Sequence, residues 1–385
     1  MLFYRGKNKM DIHKRFIVGS LLLSFVFLGC LFALLYVYDP LQLYHKPYFR
    51  EVAFSDDMRV QDKGIIKNYD FDSFILGTSM IMSTSAREAD EKLGGKWVNV
   101  SLAGSHFNER AVILQYIFRQ KSVARVIYSL DTAQLHEASM KETANWDFLY
   151  DNNEFNDIKI YINQKYILCA LQFSSSTKCV GSKDLETLIY WATRVDEIIY
   201  FGGFNKWLEN KKKIAVQEVI KKLREMQTIS PFNTKPLTES VERQQRYIEK
   251  YLFSFIKEHP STQFDFIIPP YSRLWYRLDN LEFPNSFSKI KILLKWFVQE
   301  VQTLPNAKIY GFDDLDYADD IANYSDLIHY NTDMNSMQLD AIANGAHILM
   351  PENIDEYLQT MENKIKAYDL APLIQEIRDY EAKQK

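Results

Sequence analysis

The apolar run from Phe16 to Tyr38 constrains this chain more than any other feature of its sequence. It reads FIVGSLLLSFVFLGCLFALLYVY and has 23 residues without a charged side chain. As an α-helix it would be about 34 Å long, at about 1.5 Å per residue, which is enough to cross a bilayer core of about 30 Å. We therefore predict one transmembrane helix at 16–38, and no second run of comparable length follows it.

Basic residues precede this run and give it a predicted orientation. Residues 1–15 hold five Lys or Arg residues and a single acidic residue, Asp11. By the positive-inside rule, residues 1–15 stay in the cytoplasm and the chain from residue 39 onward lies outside. Tyr36 and Tyr38 stand where an interfacial aromatic belt is expected. The sequence thus predicts a single-pass protein of the cytoplasmic membrane, with a periplasmic domain if the cell is Gram-negative.

Two other interpretations compete with an uncleaved anchor. A cleaved signal peptide has a shorter apolar core and small residues at its cleavage site, whereas Tyr-Val-Tyr-Asp-Pro follows Leu35 here. Cys30, in Leu-Gly-Cys, is similar to a lipoprotein site, but membrane-like sequence follows it in place of a polar tether. Both comparisons favour the uncleaved anchor.

Charge and cysteine content narrow the classes of partner. A net charge of −4 over 385 residues provides no basic field, which argues against a nucleic-acid partner. No His or Cys cluster has zinc-ligand spacing, so we predict neither a metal nor a cofactor. Cys169 and Cys179 stand ten residues apart. Outside the cytoplasm they would close a small disulfide loop, the alternative being two unpaired thiols.

Short apolar runs alternate with helical stretches on either side of a long central segment. Strands are predicted at 73–77, 97–101, 125–130, 264–269 and 308–312, and helices at 80–93, 108–120, 285–303 and 333–344. This alternation predicts an α/β fold, a three-layer sandwich whose parallel sheet has flavodoxin-like order.

The remaining segments complete the predicted organisation. Residues 39–66 are expected to form a juxtamembrane linker, and residues 67–385 the extracytoplasmic domain. Within that domain, 135–260 is rich in charge and aromatic residues and partly helical in pattern. We interpret it as a helical insertion that acts as a cap or partner-binding element, or else as a separate small domain.

Candidate catalytic residues follow the first and the last strands. Gly77-Thr78-Ser79 ends the first strand, where a Ser projects its hydroxyl at the carboxyl edge of the sheet. Asp326 and His329 follow the last strand, and an Asp three residues before a His can hold Nδ1 and leave Nε2 as a base. Each motif alone has a plain alternative: Ser79 as a helix N-cap, and His329 as a hydrogen-bonded loop residue.

Together these motifs resemble the SGNH (GDSL-like) hydrolase superfamily, especially its membrane-anchored members that modify cell-envelope polymers. The resemblance covers about 70–131 and 262–347. It implies an SGNH-type α/β/α sandwich in which Ser79 is the nucleophile, His329 the general base and acid, and Asp326 the residue that orients His329.

The resemblance also implies oxyanion donors, with two departures from the family pattern. The amides of Ser79 and Gly104 would face the oxyanion. The usual Gly-Asp-Ser is Gly-Thr-Ser here, and Asp131-Thr-Ala-Gln134 stands in place of Gly-x-Asn-Asp. Either Asn108 or Gln134 would supply the amide that the family takes from its Asn, or the site has only two donors.

The implied activity is serine-dependent acyl transfer. O-acetylation of an envelope or exported polysaccharide is the function the resemblance favours, with the acyl donor supplied across the membrane by a multispanning acyltransferase partner. An O-acetyl esterase with the same triad is one alternative, and a non-catalytic envelope scaffold or polysaccharide-binding protein is another.

Other polar residues are weaker candidates. Tyr271 and Arg273 follow the fourth strand and are expected to border the cleft, Tyr271 stacking on a sugar and Arg273 binding an anionic substrate; a structural turn is the alternative. His106 would line the pocket or lie in an exposed loop. The acidic run 313–320 does not fit an EF-hand, and we expect a solvated loop there.

Overall fold

A five-stranded, all-parallel β-sheet forms the centre of the fold in the computed structural model, which describes residues 12–135, 140–182, 184–186, 192 and 194–384. The strands lie in the order β2-β1-β3-β4-β5. They are β1 (Ser73–Leu76), β2 (Trp97–Asn99), β3 (Arg125–Ser129), β4 (Gln263–Ile268) and β5 (Ala307–Gly311). Nearly every strand residue is buried, as expected of parallel strands whose apolar runs are continuous. The five predicted strands and the α/β class are confirmed.

The strand order fixes where a site can form. The chain passes from β1 to β2 on one side, then returns to place β3 on the other side of β1. The connections after β1 and β3 therefore leave the sheet in opposite directions and open a crevice at its carboxyl edge, which is where ligands bind in such sheets. Ser79 follows β1 and Asp131 follows β3 at this point.

Helices join the strands and cover the sheet. In chain order they are α1 (Ile12–Tyr38), α2 (Met58–Asn68), α3 (Ser79–Met82), α4 (Ala86–Leu93), α5 (Phe107–Gln120), α6 (Thr132–Leu135), α7 (Gln164–Leu171), α8 (Thr177–Val180), α9 (Val195–Ile198), α10 (Phe204–Glu209), α11 (Ile214–Glu225), α12 (Glu242–Ile248), α13 (Ser254–Glu258), α14 (Arg273–Glu282), α15 (Ser286–Gln302), α16 (Thr332–Asn344), α17 (Ile354–Ala367) and α18 (Ala371–Lys383). The helix predicted at 80–93 is two helices, α3 and α4, because the Ser85 side chain accepts the Glu88 amide and caps a new helix there.

The first helix, α1, is long and apolar enough to cross a membrane. The basic residues Arg5, Lys7 and Lys9, on which the predicted orientation depends, lie outside the described residues. At its other end α1 enters the folded domain: Leu35 and Tyr38 are 0% and 4% exposed. The Tyr38 hydroxyl donates to the Ser174 carbonyl at 2.7 Å. Tyr38 therefore cannot belong to an interfacial belt, whereas Tyr36 remains exposed.

The segment after α1 is not a linker, and that prediction is wrong. The buried carboxylate of Asp39 accepts the amides of Leu43, Tyr44 and His45 at 2.8 to 3.0 Å. These bonds fold the chain back immediately after α1. Most of α2 is buried as well, so residues 39–43 and α2 pack in the domain, whereas residues 44–52 lie at its surface.

The segment 135–260 leaves the sheet after β3 and returns to it at β4. Its described part is mainly helical, from α7 to α13, with additional short turns. A disulfide joins Cys169 in α7 to Cys179 in α8, as the sequence predicts, with 5.7 Å between the Cα atoms. A fully buried ion pair between Lys63 of α2 and Asp157 holds this segment to the core.

Candidate active site

The turn after β1 presents Ser79 as the first residue of α3. Thr78 is the N-cap: its Oγ1 accepts the Met80 amide at 3.2 Å, so the alternative role of Ser79 as cap is wrong. Gly77 makes the turn sterically possible, because a Cβ there would lie 2.3 Å from Ser129 Oγ and 2.6 Å from Ile81 Cγ1. Gly77 therefore lets Ser129 of β3 and Ile81 of α3 pack against the turn that carries Ser79.

The three predicted catalytic side chains form a continuous hydrogen-bonded chain. Ser79 Oγ lies 2.8 Å from His329 Nε2. His329 Nδ1 lies 2.7 Å from Asp326 Oδ2 and 3.0 Å from Oδ1. Ser79 and His329 are 250 residues apart in sequence, and the fold brings them within the reach that general-base catalysis requires.

A tight turn fixes Asp326 relative to His329. The amides of Ile328 and His329 both donate to Asp326 Oδ1 at 3.0 Å. The Ser325 amide donates to the His329 carbonyl at 2.9 Å and closes the turn. Farther on, the Asn335 side chain donates to the Met80 carbonyl at 3.1 Å and joins α16 to the helix that carries the serine. The spacing of the motif therefore produces the predicted geometry.

Lys213 is a fourth member of this chain that sequence reasoning missed. Its Nζ lies 2.8 Å from Asp326 Oδ2, 2.6 Å from Glu197 Oε2 and 3.0 Å from Ser325 Oγ. It stands at the end of a run of three lysines, a pattern typical of a solvated surface. Nothing local distinguishes Lys213 from its two exposed neighbours, so only the tertiary structure reveals its contact with Asp326.

Charge neutralisation keeps Asp326 ionised. Burial acts to raise the pKa of Asp326, but the nearby His329 and then Lys213 outweigh it and hold the pKa well below its usual range. Burial likewise acts to lower the pKa of Lys213, and the carboxylates of Asp326 and Glu197 outweigh it and raise that pKa. Asp326 therefore remains a carboxylate that orients the His329 ring and stabilises its charged form.

We predict that Lys213→Met moves the pH dependence of any reaction at Ser79. Among the described residues, the Lys213 ammonium contacts the carboxylates of Asp326 and Glu197 and lies over the Tyr200 ring. Removing the Lys213 charge lets Asp326 stabilise the imidazolium form of His329 more strongly. The pH of half-maximal rate should then rise by about one unit, equivalent to about 1.4 kcal/mol.

The measurement is the rate at which a serine-reactive phosphonate modifies the full-length protein between pH 5 and 9. Lys206→Met is the matched control, because Lys206 pairs with Glu209 on an exposed surface of the same segment, and its profile should match wild type. A Lys213→Met protein that reacts more slowly with an unchanged midpoint would show that Lys213 supports only the local structure.

The predicted oxyanion donor Gly104 lies on a turn that is hydrogen-bonded to the turn that carries Ser79. The Leu102 amide and the Ser105 hydroxyl both donate to the Gly77 carbonyl, at 2.8 and 3.2 Å. Gly104 lies between them with φ +59°, in the left-handed region that favours glycine. This turn therefore approaches Ser79 through Gly77, and Gly104 stays a predicted donor together with the Ser79 amide.

Asn108 and Gln134 are engaged elsewhere. The Asn108 Nδ2 donates to the Lys141 carbonyl at 2.9 Å, and its Oδ1 accepts the Tyr247 hydroxyl at 3.0 Å. The Gln134 Oε1 accepts from Arg110 at 2.9 Å. Asn108 thus fastens the segment after β3 to α5, and these bonds give no support to its predicted oxyanion role.

Thr78 and Asp131, which stand where the sequence departs from the pattern of the family it resembles, are hydrogen-bonded to each other. Thr78 Oγ1 donates to Asp131 Oδ1 at 2.7 Å, and Ser129 Oγ donates to Asp131 Oδ2 at 2.7 Å. Asp131 is buried beneath the nucleophile turn. Thr78 and Asp131 therefore form one polar network that holds this turn against the end of β3.

Tyr271 and Arg273 do not face a cleft, and their predicted substrate-binding roles are wrong. Arg273 is 0% exposed and donates to the Asp319 carboxylate at 2.7 Å and to the carbonyls of Asp313 and Leu315 at 2.5 and 2.8 Å. Tyr271 is buried too. The carboxylate and carbonyl oxygens of the acidic run provide the partners that let an arginine enter the core.

The acidic run itself is only partly solvated. Asp313 is buried, and its carboxylate accepts the Tyr276 hydroxyl at 2.8 Å and the Tyr271 amide at 2.9 Å. Burial raises the pKa of Asp313 to about 7, against the lowering effect of Arg273. The expected solvated loop is therefore wrong at Asp313, although Asp316 is exposed. His106 does not lie free in a loop, since it is the N-cap residue of α5.

No protein-family model matches this sequence, and no curated protein matches it.

Proposed function

We propose that this chain is a membrane-anchored, extracytoplasmic acyltransferase that forms an acyl-enzyme on Ser79, within a three-layer SGNH-type domain. The observation that carries the proposal is the pair of contacts from Ser79 Oγ to His329 Nε2 at 2.8 Å and from His329 Nδ1 to Asp326 Oδ2 at 2.7 Å. A nucleophile, a base and a residue that orients the base are the parts that activate a serine.

The first half-reaction acylates the serine. His329 Nε2 takes the proton from Ser79 as Oγ attacks the acyl carbon, and a C–O bond forms. The amides of Ser79 and Gly104 would stabilise the oxyanion; losing one such donor typically costs about 10²–10³ in rate. Collapse of the intermediate breaks the bond to the leaving group, which takes the proton from His329.

The second half-reaction transfers the acyl group. A hydroxyl of the acceptor gives its proton to His329 and attacks the acyl carbon, and Ser79 recovers its proton as its ester bond breaks. The acceptor we propose is a sugar hydroxyl of an envelope or exported polysaccharide, with the donor supplied by a multispanning acyltransferase. With water as acceptor the same steps give an O-acetyl esterase.

A serine-reactive fluorophosphonate tests the proposal on the full-length protein in detergent micelles. The full chain is needed because the end of α1 is buried in the domain. We expect one label per chain, located on Ser79 by peptide mass, and none in Ser79→Ala or His329→Ala. Ser83→Ala, which changes a buried serine just after α3, should keep the label if it remains folded. A folded wild-type protein that takes no label would favour the non-catalytic scaffold.

A second assay separates transferase from esterase. The wild-type protein is given a chromogenic acetyl ester with and without an oligosaccharide acceptor. Acetylated oligosaccharide identified by mass supports the transferase. Release of acetate alone, at a rate that the acceptor does not alter, supports the esterase.

A further inference from the structure

The part of α1 that stands clear of the domain is too short to cross a bilayer core. Side chains from Phe16 to Cys30 are exposed, and the domain begins to cover α1 at Leu31. Residues 16–30 are about 22 Å long as a helix, at about 1.5 Å per residue. A hydrocarbon core of about 30 Å that begins at Phe16 ends about 20 residues later, near Tyr36.

The domain therefore packs on a part of α1 that lies within the predicted lipid. Helix α7 contacts α1, and Leu35 is fully buried by the domain. A water-soluble domain would cover such a site with polar side chains. The exposed side chains near this end of α1 include two apolar groups, next to polar residues such as Lys46 and Gln172.

The first apolar side belongs to α7 and the residue after its C-cap. Leu168 and Leu171 are 49% and 62% exposed at the carboxyl end of α7. Phe173 is 52% exposed, and its ring lies 6.2 Å from the Tyr38 ring at the end of α1. Phe173 therefore lies beside Tyr38, two residues beyond the position near which the hydrocarbon core is predicted to end.

The second apolar side is a row of aromatic rings in contact with one another, which starts on α1. The Tyr36 ring lies 5.2 Å from the His45 ring, which stacks on Tyr48 at 4.0 Å, and Tyr48 contacts Phe49 at 6.1 Å. Tyr48 and Phe49 are 62% and 76% exposed. Aromatic residues concentrate at the level of the lipid headgroups, and this chain begins at the level of Tyr36.

The backbone of Phe173 adds a separate observation. Its φ is +44°, in the left-handed region that a bulky side chain enters at a cost of about 1–2 kcal/mol. This conformation ends α7 after the C-cap Gln172, where the amides of Phe173 and Ser174 donate to the carbonyls of Ala170 and Cys169 at 3.1 and 3.0 Å. Contact with lipid would bury the rest of the ring and contribute about 25 cal/mol per Å².

We propose that the domain is seated in the outer leaflet, with Leu168, Leu171 and Phe173 on one side of α1 and Tyr48 and Phe49 on the other in contact with lipid. We call these five residues the collar. The proposal rests on α1 crossing the membrane, as in the proposed function, and is independent of chemistry at Ser79. The collar fixes the tilt of the domain and hence the height of the catalytic site above the bilayer.

Site-specific fluorescence in lipid nanodiscs tests the collar with the full-length protein. A nitrobenzoxadiazole label on the native Cys30, which is exposed on α1, reports whether α1 lies in lipid. In a Cys30→Ser background, Phe49→Cys and Phe173→Cys carry the label at the two sides of the collar. Phe283→Cys is the control, because Phe283 is 56% exposed after α14, which packs on α15 and α17.

We expect nitroxide groups near the headgroup end of the acyl chains to quench the labels at residues 30, 49 and 173, and aqueous iodide to quench only the label at 283. If the labels at 49 and 173 behave like the label at 283 while residue 30 is in lipid, the collar proposal is overturned. If iodide also quenches the label at residue 30, α1 does not lie in lipid. The membrane anchor on which the collar proposal rests is then overturned. Phosphonate labelling of Ser79 in the same samples reports the catalytic proposal separately.

Discussion

Replacing Asp326 by Asn is expected to slow phosphonate modification of Ser79 by about 10⁴-fold. The carboxylate accepts the Nδ1 proton of His329 and so leaves Nε2 as the acceptor toward Ser79. An Asn side chain can donate to Nδ1 and thereby favour the tautomer whose Nε2 carries the proton, which cannot take a proton from the serine. The measurement is the second-order rate constant of labelling at pH 8.

The control for this variant is Asp340→Asn. Asp340 pairs with Lys92 at 2.6 Å, and the Asp340 side chain is 56% exposed. Asp340→Asn therefore removes one negative charge, as Asp326→Asn does, without changing the triad. Its labelling rate should stay within twofold of wild type. Thermal unfolding of Asp326→Asn in detergent shows whether its fold is retained. A folded Asp326→Asn protein that reacts within tenfold of wild type would contradict the role of Asp326 in orienting His329.

Replacing Lys63 by Met is expected to lower the free energy of unfolding by about 3–5 kcal/mol. Lys63 and Asp157 form an ion pair with side chains only 1% and 0% exposed. Burial raises the pKa of Asp157 to about 6 even though Lys63 acts to lower it. Without Lys63 the carboxylate stays buried with no compensating charge, so the folded state is destabilised. Urea denaturation in micelles, followed by tryptophan fluorescence, measures the loss.

A double variant separates the ion pair from packing at this position. Lys63→Met combined with Asp157→Leu removes both charges, and we expect it to recover most of the lost stability, since an apolar pair can replace a buried ion pair. Lys206→Met, which breaks the exposed pair with Glu209, should cost less than about 1 kcal/mol. If Lys63→Met costs no more than Lys206→Met, the buried pair does not hold segment 135–260 to the core.

The sheet and the triad could be predicted because their signals are local. Each strand is a short apolar run that ends at or just before a glycine, a proline or a polar residue, and parallel strands place those ends at one edge. Ser79 and the Asp326–His329 pair follow such ends, so the topology brings them together without further information.

The remaining features depend on partners that are distant in sequence. Residues 39–66 are predicted as a juxtamembrane linker, but the Asp39 carboxylate binds three nearby amides and the Tyr161 hydroxyl. The position of Arg273 after β4 is typical of an anion-binding residue, but its guanidinium donates to the Asp319 carboxylate and to two backbone carbonyls. A polar residue reveals whether it is buried only when its hydrogen-bond partners are known.

The direct entry of α1 into the domain would also limit where the proposed acyltransferase acts. A flexible linker as long as residues 39–66 would have an end-to-end distance of about 30 Å, and a domain could move that far from the membrane helix. Here the residues that directly follow α1 are buried in the domain, so the domain is held close to the end of the helix. Encounters with a polymer would then be confined to a thin layer parallel to the bilayer. A growing chain that threads through that layer would be acetylated as it passes, and a finished chain farther from the membrane would be out of reach.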